Sequence, residues 1–169
     1  MRAIGASNFS QERLESARGV ARANGFTAYS VLQPNFNLMS REQFPPEYRR
    51  YCVENDIGVL PYYALAAGFL TGKYRTVEDA KASARGASPA KFFNARGERV
   101  LAALDQVADE AGVTQAQVAV AWLMATPGVT APIASATRTT QAEALIGAMN
   151  LTLEPGHMAL LDTAASTPI

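Results

Sequence analysis

The chain has 169 residues, 49% of them apolar and 18% charged. This composition favours a globular protein with a core over a disordered or membrane-embedded chain. Fifteen basic residues balance fifteen acidic ones, so no net charge draws the protein to nucleic acid or an anionic membrane. Cys52 is the only cysteine, the chain starts without a signal-peptide pattern, and no apolar run reaches the roughly eighteen residues of a membrane span. We expect one cytoplasmic domain.

The first part of the chain predicts alternating strands and helices. Residues 2–6 form a short apolar run, and residues 10–24 carry apolar side chains at the three- and four-residue spacing of an amphipathic helix. Ser10 is suited to cap the start of this helix, and Gly25 is suited to end it. Residues 28–33 then predict a second strand.

The second helix is predicted at residues 46–55, which open with a proline, and the third strand at residues 57–62. The next segment, residues 63–90, is rich in Gly, Ala, Lys and Arg and has no steady periodicity. Compact domains seldom keep so long a loop unless it has a role. We therefore expect a flexible lid or insertion there.

Helical periodicity resumes at residues 92–111 and 114–125, and residues 129–134 predict a fourth strand. Further helices are predicted at residues 139–149 and 157–165. Four strands separated by helices indicate βαβ units and a parallel sheet with right-handed crossovers. The predicted fold class is therefore α/β.

Basic side chains are concentrated in one segment. Residues 73–99 contain three carboxylates and seven bases: Lys73, Arg75, Lys81, Arg85, Lys91, Arg96 and Arg99. After this segment the only lysine or arginine is Arg138. A basic segment is either a solvated surface or an anion-facing one, and the sequence leaves both interpretations open.

Polar residues follow each predicted strand. They are Ser7 and Asn8, then Gln33, then Tyr62 and Tyr63, and finally residues 135–138. In parallel α/β folds ligands collect at the carboxyl ends of the strands, so these residues are candidates for a site. Ser, Asn and Thr also serve as ordinary helix caps at such turns, which is the alternative for each of them.

The turn after the fourth strand combines hydroxyl groups with an arginine. Ser135, Thr137 and Arg138 lie just ahead of a predicted helix N-terminus, an arrangement that accepts phosphate. A capped helix with a solvated Arg138 is the competing interpretation. By contrast, residues 68–74 are one residue short of an ATP-binding P-loop and lack its Ser or Thr after the lysine. His157 has no neighbouring cluster that would suggest a metal site or a catalytic triad.

Taken together and in order, four segments resemble the aldo-keto reductases. They are Ile4-Gly5-Ala6-Ser7-Asn8-Phe9, then Gln33-Pro34-Asn35-Phe36-Asn37-Leu38, then Leu60-Pro61-Tyr62 leading into Gly68-Phe69-Leu70-Thr71-Gly72-Lys73-Tyr74, and finally Pro132-Ile133-Ala134-Ser135-Ala136-Thr137. The resemblance implies strands five to eight of a (β/α)8 TIM barrel, with the first four strands absent. Residues 1–169 would then be a single partial barrel of four C-terminal βα units plus extra helices. A complete barrel of this kind takes roughly 250 residues.

The resemblance also implies a cofactor site. Ser7, Asn8 and Gln33 would hydrogen-bond the nicotinamide carboxamide, and the Tyr62 ring would stack on the nicotinamide. The face on which that ring stacks decides which hydride is transferred.

The same comparison places the cofactor's phosphates and adenine. The loop from Leu65 to Gly68 would approach the pyrophosphate. Ser135, Thr137 and Arg138 would hold the adenosine 2′-phosphate, and Gln141 would lie near the adenine. These assignments imply NADP (NADPH) as the cofactor. Two departures weaken individual contacts: Tyr63-Ala64 replaces the Ser-Pro common after the stacking tyrosine, and Ala144-Leu145 replaces a Glu-Asn pair near the adenine.

No catalytic residue is assigned, because the family's tyrosine, lysine, histidine and aspartate come from the first half of the barrel. Two hypotheses remain. The chain is either the cofactor-binding half of an NADP(H)-dependent oxidoreductase of carbonyls and alcohols, or a non-catalytic nucleotide-binding or interaction half-barrel. We expect a small-molecule carbonyl substrate only if the missing half is supplied, no nucleic-acid or membrane partner, and a possible homodimer through open sheet edges.

Overall fold

The computed structural model describes residues 2–83 and 87–166 of the protein. Its first part alternates strands and helices: β1 (Gly5–Ser7), α1 (Gln11–Asn24), β2 (Val31–Gln33), α2 (Pro46–Glu54) and β3 (Gly58–Val59). The strands form a parallel sheet in the order β1-β2-β3. The predicted α/β class is confirmed for this part of the chain.

The sheet buries one apolar residue from each strand. Ala6 lies opposite Leu32, and Leu32 lies opposite Val59. All three side chains are buried. Because successive side chains on a strand point to opposite faces, the register places these three in one row.

Helix α1 begins and ends where its sequence predicts. The Ser10 side chain accepts a hydrogen bond from the backbone N–H of Arg13 at 3.3 Å. Gly25 follows the helix with a φ of 67°, and its N–H donates to the carbonyl of Ala21. Glycine adopts this left-handed conformation without the strain of a side chain, so the helix stops there.

The predicted fourth strand is wrong as a strand, although the segment does lie beside β3. The backbone N–H groups of Thr130 and Ile133 donate to the carbonyls of Val59 and Pro61 at 2.9 and 2.7 Å. The N–H of Val59, however, donates to the Thr130 hydroxyl at 2.9 Å instead of to a backbone carbonyl. Pro61 and Pro132 have no N–H to give. The ladder is therefore interrupted, and the described residues contain three strands.

The segment at residues 63–90, which we expect from the sequence to be a flexible lid or insertion, has regular helical structure in its described residues. They contain a kinked 3-10 helix (Ala66–Thr71), α3 (Val77–Lys81) and α4 (Ala87–Ala90). Thr76 and Asp79 form a reciprocal capping box at the start of α3. Arg85 lies outside the described residues. These short helices are stabilised by a local cap and by buried apolar side chains, and they are too short to show a helical periodicity in the sequence.

Four longer helices complete the fold: α5 (Ala95–Ala111), α6 (Gln115–Ala125), α7 (Thr139–Ala148) and α8 (Pro155–Ala165). Helix α5 begins three residues later than predicted because Asn94 caps it by accepting from the N–H of Gly97. Within the two described ranges, every helix is too short or too polar to span a lipid bilayer.

The core joins the sheet side of the molecule to these helices through aromatic side chains. The Phe36 ring lies 5.5 Å from that of Trp122 on α6 and 5.4 Å from that of Phe44. The Trp122 indole N–H donates to the Asp162 carboxylate on α8 at 3.2 Å. These contacts connect the segment after β2 to α6, and α6 to α8.

Candidate functional site

Four of the residues predicted to form a site lie together at the carboxyl ends of the strands. Ser7 and Gln33 are register partners, and the Ser7 hydroxyl donates to the Gln33 carbonyl at 3.0 Å. The N–H of Asn8 donates to the same carbonyl at 3.3 Å. The Tyr62 hydroxyl donates to the Asn8 side-chain oxygen at 2.8 Å. Hydrogen bonds therefore connect the turn after β1 to the end of β2 and to the segment after β3.

The chain reaches these positions through two left-handed residues. Asn8 has a φ of 57° and Tyr63 a φ of 60°. Asparagine tolerates this region, whereas a tyrosine there needs support from its surroundings. Asn37 gives that support, since its side-chain NH2 donates to the Tyr63 carbonyl at 3.0 Å and its oxygen accepts from the N–H of Met39 at 2.8 Å.

Asn37 is buried and is a positioning residue that the sequence argument did not identify. It belongs to one of the four family-like segments, which was the available signal. Its side chain hydrogen-bonds the backbone of Tyr63 and Met39 and is not among the groups that face the cleft. Its contribution is to hold the backbone immediately after Tyr62.

An open cleft of about 530 Å³ lies beside Asn8, Pro34 and Tyr62. Its other walls are the start of α1 and residues 42–45. Because the Tyr62 hydroxyl occupies the Asn8 oxygen, the Asn8 NH2 is the part of that amide left to donate to a ligand. The cleft thus combines an aromatic ring with amide groups, a combination that suits a flat polar ligand.

Two carboxylates line the side of the cleft formed by α1 and residues 42–45. The Ser10 hydroxyl and the backbone of Glu12 hydrogen-bond the Glu12 carboxylate and hold its pKa below the usual range. Burial opposes ionisation of Glu42, but backbone hydrogen bonds and the Arg96 guanidinium outweigh it, and the pKa of Glu42 is also lowered. Both groups are therefore anionic at neutral pH. Because Arg96 pairs with Glu42, Glu12 supplies most of the negative charge on this side of the cleft.

A second group of predicted residues lies in the loop after Tyr62. The N–H of Gly68 donates to the Leu65 carbonyl at 2.8 Å, and Gly68 has a φ of 95°. A Cβ placed on Gly68 would lie 3.2 Å from the Lys73 ammonium nitrogen. The ammonium therefore lies over the glycine, and it is also 4.7 Å from the centre of the Tyr74 ring.

Lys73 was not among the predicted site residues, although it ends the segment Gly68-Phe69-Leu70-Thr71-Gly72-Lys73. The structure adds it as a cation beside the turn that the resemblance assigns to a pyrophosphate. The described arginines of the basic segment, unlike Lys73, form ion pairs or hydrogen bonds to main-chain carbonyls. Arg75 pairs with Asp105, Arg96 pairs with Glu42, and Arg99 donates to the Ser166 carbonyl. Much of that basic segment is thus committed to internal contacts.

The third predicted group lies at the start of α7. The N–H and the hydroxyl of Thr137 both donate to the Gln141 side-chain oxygen, at 2.9 and 3.2 Å. Arg138 is the exposed residue that precedes the helix, and Ser135 is exposed as well. Gln141 therefore acts as a local cap, while Arg138 and the first N–H groups of α7 face solvent. Residues 2–83 and 87–166 contain no cluster of His, Cys, Asp and Glu side chains suited to a metal ion.

The chain is similar to known proteins over most of its length. A family model described as "Aldo/keto reductase family" matches residues 1–166. L-glyceraldehyde 3-phosphate reductase of Escherichia coli K12 is 28% identical over 94% of this chain and 48% of its own length. The aldo-keto reductase YhdN of Bacillus subtilis is 32% identical over 86% and 43%. A probable voltage-gated potassium channel subunit beta of Arabidopsis thaliana is 30% identical over 81% and 43%.

A solved structure shares the fold. The thermostable aldo-keto reductase Tm1743, determined with the inhibitor epalrestat, superposes with a TM-score of 0.73 at 23% identity. The match covers 96% of this chain and 48% of that one. This chain therefore spans slightly less than half the length of the relatives described here.

Proposed function

Because the chain belongs to the aldo/keto reductase family, we propose that it provides the NADP(H)-binding side of a carbonyl-reducing (β/α)8 barrel. The observation that carries this proposal is the joining of Ser7, Asn8, Gln33 and Tyr62 at one edge of the sheet by hydrogen bonds. In α/β folds this edge is where ligands bind.

The donor set at this edge fits the nicotinamide end of the cofactor. The Asn8 NH2 donates to the carboxamide oxygen, and the Gln33 side-chain amide pairs with the carboxamide NH2. The Tyr62 ring, held by its hydroxyl bond to Asn8, stacks on the nicotinamide. The Glu12 carboxylate beside the cleft disfavours phosphates at this end.

The phosphates fit the two cationic positions. Leu65 and Gly68 bring backbone close to the pyrophosphate, and the Lys73 ammonium beside Gly68 supplies a positive charge. Arg138, with Ser135 and Thr137 at the start of α7, holds the 2′-phosphate. Gln141 lies beside the adenosine and also caps Thr137.

When bound, NADPH supplies the hydride that reduces a carbonyl carbon. This chain's residues bind and orient the cofactor, but they do not protonate the developing alkoxide. We do not propose Tyr62 as that acid, because its ring is assigned to stack on the nicotinamide and its hydroxyl is oriented towards Asn8. We propose that the acid and most contacts to a small carbonyl substrate come from a complementary half-barrel.

A titration of NADPH fluorescence against the full chain tests the cofactor site. Affinity should be micromolar or weaker, since half a barrel leaves the dinucleotide largely exposed. Gln33→Met keeps the length of the side chain and removes its amide, so it should weaken NADPH and NADH alike by about tenfold. Gln106→Met, on the exposed surface of α5, is the matched control and should change neither. Unchanged affinity in Gln33→Met would contradict the assignment.

A second candidate function is that of a non-catalytic nucleotide-binding subunit. The observation behind it is the similarity to a protein described as a probable voltage-gated potassium channel subunit beta. Carbonyl reduction after addition of a complementary half-barrel supports the first function. Tight NADPH binding without turnover in that mixture supports the second.

A further inference from the structure

The loop that carries Leu65 and Gly68 is conformationally strained. Tyr63, Ala66 and Ala67 have φ values of 60°, 46° and 59°, in the left-handed region that disfavours residues with a side chain. Such a conformation persists only when the surrounding structure holds it. The groups that hold this loop therefore also determine where its backbone and Lys73 lie.

One side of the loop is held by apolar packing. Ala66, Ala67, Phe69 and Leu70 are buried. The Phe69 ring lies 5.5 Å from Phe92 and 5.1 Å from Phe93. This packing anchors the middle of the loop, and beyond Gly72 the Tyr74 side chain is buried as well.

The far side is held by a polar cluster that we name the clasp, consisting of Arg75, Asp105 and Gln115. The Arg75 guanidinium makes two hydrogen bonds to the Asp105 carboxylate on α5, at 2.8 and 3.0 Å. Asp105 also accepts from the side-chain NH2 of Gln115, the first residue of α6. Gln115 is buried and faces Gly72 so closely that a Cβ on Gly72 would overlap its side-chain oxygen.

The clasp is fixed at its loop end by the backbone. The N–H groups of Arg75 and Thr76 both donate to the Asp79 carboxylate, at 3.1 and 3.0 Å. Arg75 is therefore held through its backbone by α3 and through its side chain by α5. Bidentate pairing gives this second contact a defined direction, which a single point charge would lack.

We propose that the clasp is a positioning device that holds the strained loop in its cofactor-binding conformation, so that the Gly68 backbone and Lys73 face the pyrophosphate. This inference rests on the proposed function. It assigns Arg75, Asp105 and Gln115 a role through the loop and no contact with the cofactor.

The alternative is that Arg75 binds a cofactor phosphate directly. The two possibilities predict opposite effects for Asp105→Asn. Direct binding predicts tighter NADPH binding, because the substitution removes a negative charge and frees the guanidinium. The clasp predicts weaker binding, because the loop loses its tether.

The test begins without cofactor, by hydrogen exchange on the full chain. The N–H groups of Gly68, Leu70 and Gly72 bond within the loop and report its order. In Asp105→Asn their exchange should accelerate by about three- to tenfold, the size expected for loss of a partly exposed bidentate pair. Amides of α1 should be unaffected. Arg75→Lys keeps the charge but loses the fork, and should behave in the same way.

NADPH titration of the same variants then measures the positioning. Asp105→Asn and Arg75→Lys should each raise the dissociation constant by about three- to tenfold. Glu110→Gln is the matched control, since it also converts a carboxylate on α5 to its amide and removes a surface pair, with His157, outside the clasp. It should alter neither loop exchange nor affinity.

Unchanged loop exchange in both clasp variants would overturn the tether, and accelerated exchange with unchanged or tighter NADPH binding would overturn the positioning role. Failure of the proposed function is recognised separately, because the unsubstituted chain would then bind no NADPH. That result would overturn the positioning role too, whatever the exchange rates.

Discussion

Side chains at the ends of β1 and β2 both hold the site together and present groups to it. Ser7 and Asn8 use a hydroxyl and a backbone N–H to bind the Gln33 carbonyl. Under the proposed function, the Asn8 NH2 and the Gln33 side-chain amide bind the nicotinamide carboxamide. Single substitutions can therefore separate the binding of the nicotinamide end from that of the phosphates.

Arg138 should distinguish the two nicotinamide cofactors. Arg138→Ala should weaken NADPH by about tenfold or more and leave NADH nearly unchanged, because only NADPH carries the 2′-phosphate that the guanidinium would bind. Fluorescence titration with each cofactor measures this. Arg22→Ala, an exposed arginine near the end of α1, is the control. Equal losses for the two cofactors would show that Arg138 does not read the 2′-phosphate.

Cys52 should make the fold sensitive to alkali. Burial raises the pKa of its thiol from 9.0 to about 11. A raised folded-state pKa contributes stability that is present below pH 9 and lost as the pH rises towards 11. Between pH 8 and 10.5 we expect a loss of about 2 kcal/mol from this group. Urea unfolding at both pH values should therefore show a smaller loss in Cys52→Ala. An equal loss in both proteins would contradict the assignment.

At the scale of elements, the segment beside β3 shows how one side chain can replace a strand ladder. The Thr130 hydroxyl takes the N–H of Val59, a buried residue, while the backbone of Thr130 donates back to Val59. The segment is thus attached to the sheet without regular strand geometry. Backbone N–H groups of the segment and the Thr130 hydroxyl share this attachment.

Thr130→Val should destabilise the protein by about 1–3 kcal/mol, because it keeps the shape of the side chain and leaves the Val59 N–H without its acceptor. Urea denaturation monitored by circular dichroism gives the change in unfolding free energy. Thr152→Val, at an exposed position between α7 and α8, should change it little. Unaltered stability in Thr130→Val would mean that a backbone carbonyl has taken over, as in the strand that the sequence predicted.

At the scale of the whole molecule, the sheet is uncovered along β1. This strand pairs only with β2 among the described residues. Beside it lies a shallow groove lined in part by Ile4, Val20 and Phe26. Val20 and Phe26 are 56% and 67% exposed. An open edge next to exposed apolar side chains favours association.

The isolated chain should therefore form dimers or larger species as its concentration rises. Phe26→Lys should reduce this association because it places a charge in the groove, and the exposed position should tolerate the change. Light scattering over a concentration series measures the effect. Phe93→Lys is unsuitable as a control because the Phe93 ring packs against Phe69. Val53→Lys, at an exposed apolar site on α2, is the control. A stable monomer at all concentrations would contradict this prediction.

We predict that this chain alone does not reduce carbonyls at a measurable rate, since under the proposed function the proton donor and the stabilisation of the alkoxide come from the other half of the barrel. Their joint loss typically costs several powers of ten in rate. NADPH oxidation with a reactive aldehyde tests this, first with the chain alone and then with a first-half fragment of a related reductase. Turnover by the chain alone would require an acid among its own residues.

The sequence by itself predicted the family, the α/β class and most helix bounds, and it identified the four residues that meet at the strand ends. Periodicity and caps such as Ser10 and Gly25 act within a few residues, and short segments resembling a family can be recognised without coordinates. The first three predicted strands occur as shorter strands than the apolar runs suggested. Their carboxyl ends meet because parallel strands share one edge.

Three features were decided by tertiary structure alone. They are the replacement of the predicted fourth strand by an irregular segment, the helical structure within residues 63–83, and the partners of the basic side chains. The Thr130–Val59 hydrogen bond joins residues 71 positions apart, and the Arg75–Asp105 pair joins residues 30 apart. Neither contact leaves a local pattern, because a hydroxyl or a guanidinium has several possible partners and the fold selects among them by proximity. Lys73 belongs to a segment that the sequence analysis recognised. Its position over Gly68, however, is a tertiary contact, and only that position made it a candidate for phosphate binding.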